Sequence, residues 1–341
     1  MKRKKTAPMT KAERIAAAIR GDAVDRVPYS LWSYLPMIDL DPAANAEHTY
    51  DFYKTYDVDI LKTMNNGMYS VEDFGVTVDY SDIERGGVAK IISTPVHTPE
   101  DWLKVKPVSL HEGALAREQD YLKRLLKKTN GEVPVIFTVF SPLTTANKLC
   151  PHMMEHIASG HGEQVKAALT AITETTCALV QRVIELGADG IFFVTQLSSY
   201  DLVKEDLYKE YGMPYDIAVL SASQGWCNVL HAHGKHIMFP LLRKYPVQIF
   251  NWHAFESLPG IHEAQVMTGK CIMAGLERMD ITDGHKNEIE HQIFETLRET
   301  GGRHVILSPG CVIRYPLDPD MLSFVRKAKE DIEERLLRNR D

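Results

Sequence analysis

Eight short β-rich runs, each followed by a longer segment, most of them of helical period, constrain this chain more than any other feature. The runs are Val27 to Trp32, Val58 to Thr63, Val133 to Val139, Gly190 to Thr195, Cys227 to Ala232, Val247 to Trp252, Cys271 to Gly275 and His304 to Ser308. Gln164 to Leu186 is the clearest of the intervening helices. A strand feeding a crossover helix and then a parallel strand is a βαβ unit, and eight such units close into a TIM (β/α)8 barrel. A doubly wound open sheet is the alternative, but no glycine-rich phosphate loop follows the first run. The expectation is one α/β barrel domain over residues 10–341, behind a flexible basic tail over 1–9 containing Lys2, Arg3, Lys4 and Lys5. An inserted β-rich segment near residues 75–107, with pieces at Val76 to Tyr80 and Val88 to Ser93, breaks the rhythm and reads as a cover over one side of the barrel mouth.

The 341 residues, 44% of them hydrophobic, can fill one large core. A net charge of -7 argues against a nucleic-acid partner. No apolar run approaches a membrane span and no apolar segment follows the basic start, so a soluble, cytoplasmic protein is expected. The five cysteines (Cys150, Cys177, Cys227, Cys271 and Cys311) form no close pair, and no disulfide framework is expected.

Barrel enzymes carry their chemistry at the C-terminal ends of the strands. His231 and His233 end the fifth run, two residues apart, so in an extended strand both side chains face one side. Cys311 follows the eighth run in the string Ser308-Pro309-Gly310-Cys311. Two imidazoles and a thiolate are zinc ligands, and three protein ligands is the count of a catalytic zinc site. Asn251 and His253 end the sixth run and Glu277 follows the seventh, so several polar groups converge on one face. His253, Glu256 and Glu277 are the candidates for a fourth ligand. The competing reading is a satisfied core histidine at 231 and an ordinary buried thiol at 311.

The opening Lys11-Ala12-Glu13-Arg14-Ile15-Ala16-Ala17-Ala18-Ile19-Arg20-Gly21, followed by Val24-Asp25-Arg26-Val27-Pro28, resembles the start of the uroporphyrinogen decarboxylase superfamily. Ser141-Pro142-Leu143-Thr144, Gly187-Ala188-Asp189-Gly190 and Gly310-Cys311 before Tyr315-Pro316-Leu317-Asp318-Pro319 extend the resemblance from about residue 10 to 330. It implies a distorted TIM barrel and either of two activities, porphyrinogen decarboxylation or cobamide-dependent methyl transfer. The decarboxylase's arginine-rich carboxylate clamp is replaced here by Leu31-Trp32-Ser33-Tyr34-Leu35-Pro36. Its essential Asp falls near Asn65 or Asn66, its Tyr near Lys148 and its C-terminal His at Cys311.

The methyltransferase branch instead implies zinc held by His-X-Cys after the fifth strand and a second Cys after the eighth. This chain matches at His231 and Cys311 and departs at His233. Replacing a thiolate by an imidazole leaves the zinc site with net charge +1, which makes it a stronger Lewis acid and favours polarising a leaving oxygen. The resemblance therefore points to methyl transfer from an O-methyl or methoxyaromatic donor to the cobalt of a corrinoid (cobalamin) carried by a separate protein, since no corrinoid-binding motif is present. Trp32, Tyr34, Tyr69, Phe140 and Trp252 are expected to line an aromatic pocket, with Asn66, Lys148 and Gln196 as polar contacts. Three other readings stay open: transfer from a methylcorrinoid to a thiol or tetrahydrofolate, a lyase acting on another tetrapyrrole or a carboxylate, and a non-catalytic protein binding corrinoids or tetrapyrroles. A homodimer is expected only by family analogy.

Overall fold

The computed structural model describes residues 7–81 and 89–338. Seven strands, β1 (Leu61–Lys62), β4 (Val135–Phe140), β5 (Gly190–Thr195), β6 (Val229–Ala232), β7 (Ile249–Trp252), β8 (Cys271–Leu276) and β9 (Val305–Pro309), form one sheet in chain order. Every neighbouring pair is parallel. β4, β5 and β8 are buried along their whole length, as strands covered on both faces must be. The sheet curls on itself as a distorted TIM barrel.

The first run does not form a regular strand. Residues 28–33 fill its place between β9 and β1, with isolated parallel bridges Tyr29 to Leu307 and Ser33 to Ile313. The reason is local. Pro28 has no N–H to donate, and the Tyr29 N–H goes to the Asp59 carboxylate at 3.0 Å instead of a neighbouring strand. Asp59 N–H donates to the Tyr29 carbonyl, and the Ser30 hydroxyl to the Ile60 carbonyl, so the ring is closed partly by side chains.

Helices cover the outside. In the helix Gly162–Glu185 the buried Val165, Leu169, Ile172, Leu179, Val180 and Val183 recur at helical spacing and pack inward. The inserted segment contains β2 (Thr77–Asp79) antiparallel to β3 (Lys90–Ser93) and a 3-10 turn at Pro99–Lys104. Val88 and the basic cluster at residues 2–5 lie outside the described residues. Among the described residues no helix is long and apolar enough to cross a membrane.

Candidate metal centre

β6 and β7 run side by side with His231 level with Asn251 and Ala232 with Trp252. That register sets His231 and His233 beside His253, one residue beyond β7. The third element is the turn after β9. Gly310 makes it possible: a β-carbon there would lie 2.7 Å from the Trp252 carbonyl oxygen and 2.9 Å from the His253 Cα. Only a residue without a side chain lets the two segments pass so closely, and the next residue is Cys311.

The ligand atoms of His231, His233, His253 and Cys311 all lie within 4.8 Å of one another. Cys311 Sγ is 3.6 Å from His233 Nδ1, close to the separation of about 3.3–3.6 Å that zinc–nitrogen and zinc–sulfur bonds impose on a tetrahedral edge. His231 is stacked on Phe192, with ring centroids 5.4 Å apart and planes at 22°.

Hydrogen bonds fix the imidazoles. Asn251 Nδ2 donates to the Met273 carbonyl at 2.6 Å and the Pro309 carbonyl at 3.1 Å, which leaves its Oδ1 as an acceptor. His231 Nδ1 lies 2.5 Å from that oxygen and must carry the proton, so Nε2 keeps its lone pair. His253 Nδ1 lies 2.9 Å from Glu256 Oε1, while its Nε2 is buried without any hydrogen-bond partner. A buried acceptor left unpaired is costly, and a metal ion would satisfy it.

Burial, with His233 and His253 close by, pushes His231 far below the ordinary histidine range. Burial, His253 and the charge of Arg278 push His233 down to about 4. Burial also lowers His253, although Glu256 works against it. Three neutral imidazoles are the form that binds metal. Burial raises the Cys311 thiol, so a cation is needed to draw it into the thiolate form. The donor set and its geometry fit zinc.

The other expected site residues fall into two groups. Trp32, whose ring meets Phe192 edge-on at 5.6 Å, faces the barrel interior beside the cluster. Tyr34 is 41% exposed at the mouth, and its ring lies against Gly67, whose carbonyl accepts a bond from Lys148 Nζ at 3.1 Å. Phe140 ends β4 beneath the Lys148 ammonium, 4.7 Å from its ring centroid. Gln196 follows β5, its N–H held by Thr144 Oγ1.

The remaining three are built into the scaffold. Tyr69 donates to the Thr138 carbonyl at 2.7 Å and packs on Phe137. Trp252 donates to the Ser257 carbonyl and packs on Phe239. Asn66 bonds to Asp39, Met68 and Tyr80. Glu256 orients His253, and Glu277 caps the helix Arg278–Thr282 through the Met279 N–H. His253 alone of the three fourth-ligand candidates is in the cluster.

Two residues near the cluster escaped the sequence reading. Lys62, on β1, is only 5% exposed. Arg278 has a buried Nε without a partner. The signal for Lys62 was a single charge at the end of the apolar run Ile60-Leu61-Lys62.

A model of the uroporphyrinogen decarboxylase (URO-D) family matches residues 10–331, nearly the whole chain. The chain belongs to the URO-D family. Within it, the chain is similar to the methylcobamide:CoM methyltransferase MtbA of Methanosarcina acetivorans, 24% identical over 62% of this chain and 66% of that one. The MtbA of Methanosarcina mazei is 25% identical over 66% of this chain and 70% of the relative. A uroporphyrinogen decarboxylase of Drosophila virilis is 27% identical over 50% of this chain and 46% of that protein. The stretches matched to the two MtbA proteins are thus about two thirds of those relatives. In fold, a methyltransferase structure from Methanosarcina mazei superposes with a TM-score of 0.81 at 17% identity, covering 95% of this chain and 99% of the other.

Proposed function

We propose that the protein is a zinc-dependent methyltransferase moving a methyl group between a small methylated substrate and the cobalt of a corrinoid carried by a partner protein, with O-demethylation of a methoxy compound as the favoured direction. The observation that carries this reading is the four-donor cluster at the C-terminal face of a URO-D barrel whose relatives include methylcobamide:CoM methyltransferases. His231, His233 and Cys311 would hold the zinc, with His253 as a fourth donor that a substrate heteroatom would displace to reach the metal. Bound there, zinc would supply Lewis acidity toward a substrate heteroatom.

The chain's own residues do the rest. Asn251 and Glu256 keep two of the imidazoles in the ligating tautomer. Phe192 and Trp32 present an apolar wall beside His231 that excludes water from the reacting methyl group. Tyr34, Phe140, Lys148 and Gln196 lie at the ends or in the following loops of other elements, where a small substrate would enter.

One observation favours the opposite direction. The MtbA relatives are named for transfer from a methylcobamide to coenzyme M, so methylcorrinoid-to-thiol transfer is the second reading. Elemental analysis and a spectroscopic assay of the corrinoid separate the cases. Wild type is expected to carry about one zinc per chain, as a single cluster requires, with zinc lost in Cys311→Ser and His231→Ala. Zinc-loaded wild type is expected to convert cob(I)alamin to methylcobalamin with a methoxyaromatic donor. Demethylation of methylcobalamin by a thiol, without the first reaction, would overturn the favoured direction. A folded protein that takes up no zinc would overturn both.

A further inference from the structure

Three cationic side chains surround the ligand cluster, and none has a carboxylate within ion-pair distance among the described residues. Lys62 reaches into the barrel from β1, with Nζ 5.0 Å from the Phe192 ring that stacks on His231. Among the described residues the one acceptor bonded to this buried ammonium is its neighbour's carbonyl, Thr63, at 3.1 Å. Lys148 approaches from the helix after β4 and is likewise bonded only to a carbonyl, that of Gly67. Arg278, after β8, contributes the unpartnered Nε.

A buried ammonium without a counter-ion is expensive, and chains keep one only where something else offsets the cost. Burial pushes Lys62 down to about 7, with only the Cys311 thiol working against it, and Lys148 down to about 8, with no carboxylate holding either up. The ligand cluster makes matters worse. A divalent metal with neutral imidazoles and one thiolate has net charge +1, so the loaded centre would add to the positive charge around it. Glu256 is the carboxylate closest to the cluster, and it is already engaged by His253. A neutral ether or alcohol would leave this excess uncompensated, whereas an acid group would answer it.

We propose that the small substrate is an anion, and that Lys62, assisted by Lys148, binds its carboxylate or sulfonate while the opposite end faces the His231, His233, His253 and Cys311 cluster. This deepens the methyl-transfer reading and rests on it only for which end of the substrate faces the metal. It also explains how a barrel without the arginine-rich segment of the decarboxylases still recognises an acid: one buried lysine inside the ring of strands takes the place of a clamp on a loop.

The test is a binding measurement on the zinc-loaded protein, independent of turnover, with two pairs of probes that differ only in charge. One pair is 3-methoxybenzoate and 3-methoxybenzamide; the other is 3-mercaptopropanoate and 3-mercaptopropanamide. Titration calorimetry is expected to show the charged member of at least one pair bound about ten- to a hundredfold more tightly, the range of a hydrogen-bonded charge. Lys62→Met, which keeps the volume and removes the charge, is expected to erase that difference, and Lys148→Met to reduce it. A preference confined to the thiol pair supports the anion site while telling against the O-methyl donor, so the two readings fail separately. Should Lys62→Met not fold, Lys148→Met and displacement by benzoate against benzamide on wild type decide. No preference for charge in either pair, or a preference undiminished in both variants, overturns the proposal.

Discussion

Asn251 decides which nitrogen of His231 faces the cluster. Its amide is spoken for by the Met273 and Pro309 carbonyls, so its oxygen can only accept. Asn251→Ala should lower zinc affinity about ten- to a hundredfold, the usual loss when the partner of a ligating histidine is removed. Chelator competition measures this, and circular dichroism shows whether the barrel survives.

Away from the site, Asp216 is fully buried with Tyr208 and Tyr245 donating to Oδ2 and nothing bonded to Oδ1. Burial raises its carboxyl to about 7. Between the unfolded value near 4 and that value the folded state holds the extra proton, so the stability associated with it is full at low pH and is lost as pH rises to about 7. Asp216→Asn should raise the urea midpoint relative to wild type at pH 8 and leave a smaller difference at pH 5. Equal differences at both pH values would show that the carboxyl is not what titrates.

At this scale the sequence revealed His231, His233 and Cys311, because a period of two and a strand end specify where such side chains point. It did not reveal Lys62, since a lone lysine after an apolar run gives no sign of whether it faces the barrel interior or the outside.

Among the elements, β4, β5, β8 and β9 follow the sequence runs to within two residues, because strands buried on both faces read as unbroken apolar segments. The first run is not a regular strand: Pro28 has no N–H and the Tyr29 N–H is diverted to Asp59, while the Ser30 N–H still reaches the Leu307 carbonyl on the β9 side. The family motifs prove to be mostly scaffold. Ser141 caps the helix Pro142–Leu149. Asp189 receives the Val135 N–H and the Trp226 indole. A side chain at Gly190 would meet the Cys227 carbonyl.

Gly310 is the motif residue that reaches the centre. Gly310→Ala should push the turn after β9 away from Trp252 and His253 and carry Cys311 with it. The expected result is weaker zinc binding, with unfolding stability lowered by about 1–3 kcal/mol, the cost of overpacking a tight contact. Unchanged zinc affinity in a destabilised protein would mean that Cys311 is positioned from elsewhere.

The whole barrel divides its duties between its ends. Away from the mouth, Arg14 pairs with Asp25 and Asp59, and Arg26 embraces Asp59 with two bonds of 2.7 and 2.8 Å. This network ties the first helix, Lys11–Arg20, and the irregular segment 28–33 to β1, which is why the opening motif is legible and yet has no part in the chemistry. The opposite end carries the ligand cluster. The loops around it expose Leu258 (81%), Leu202 (58%), Phe255 (47%) and Tyr200 (46%), which follow β7 and β5.

Exposed apolar side chains on loops of one face suit a protein partner, and the proposed reaction requires one that brings its corrinoid to the mouth. Leu258→Glu, placed on that rim, should raise the KM for the corrinoid protein about tenfold, the effect of about 1.4 kcal/mol lost from docking. Zinc content and methyl transfer with free cobalamin should be unchanged, because neither needs the rim. A loss with free cobalamin as great as with the protein-bound corrinoid would show that Leu258 supports the pocket itself, and the docking face would then have to be sought on the loops after β1 and β9.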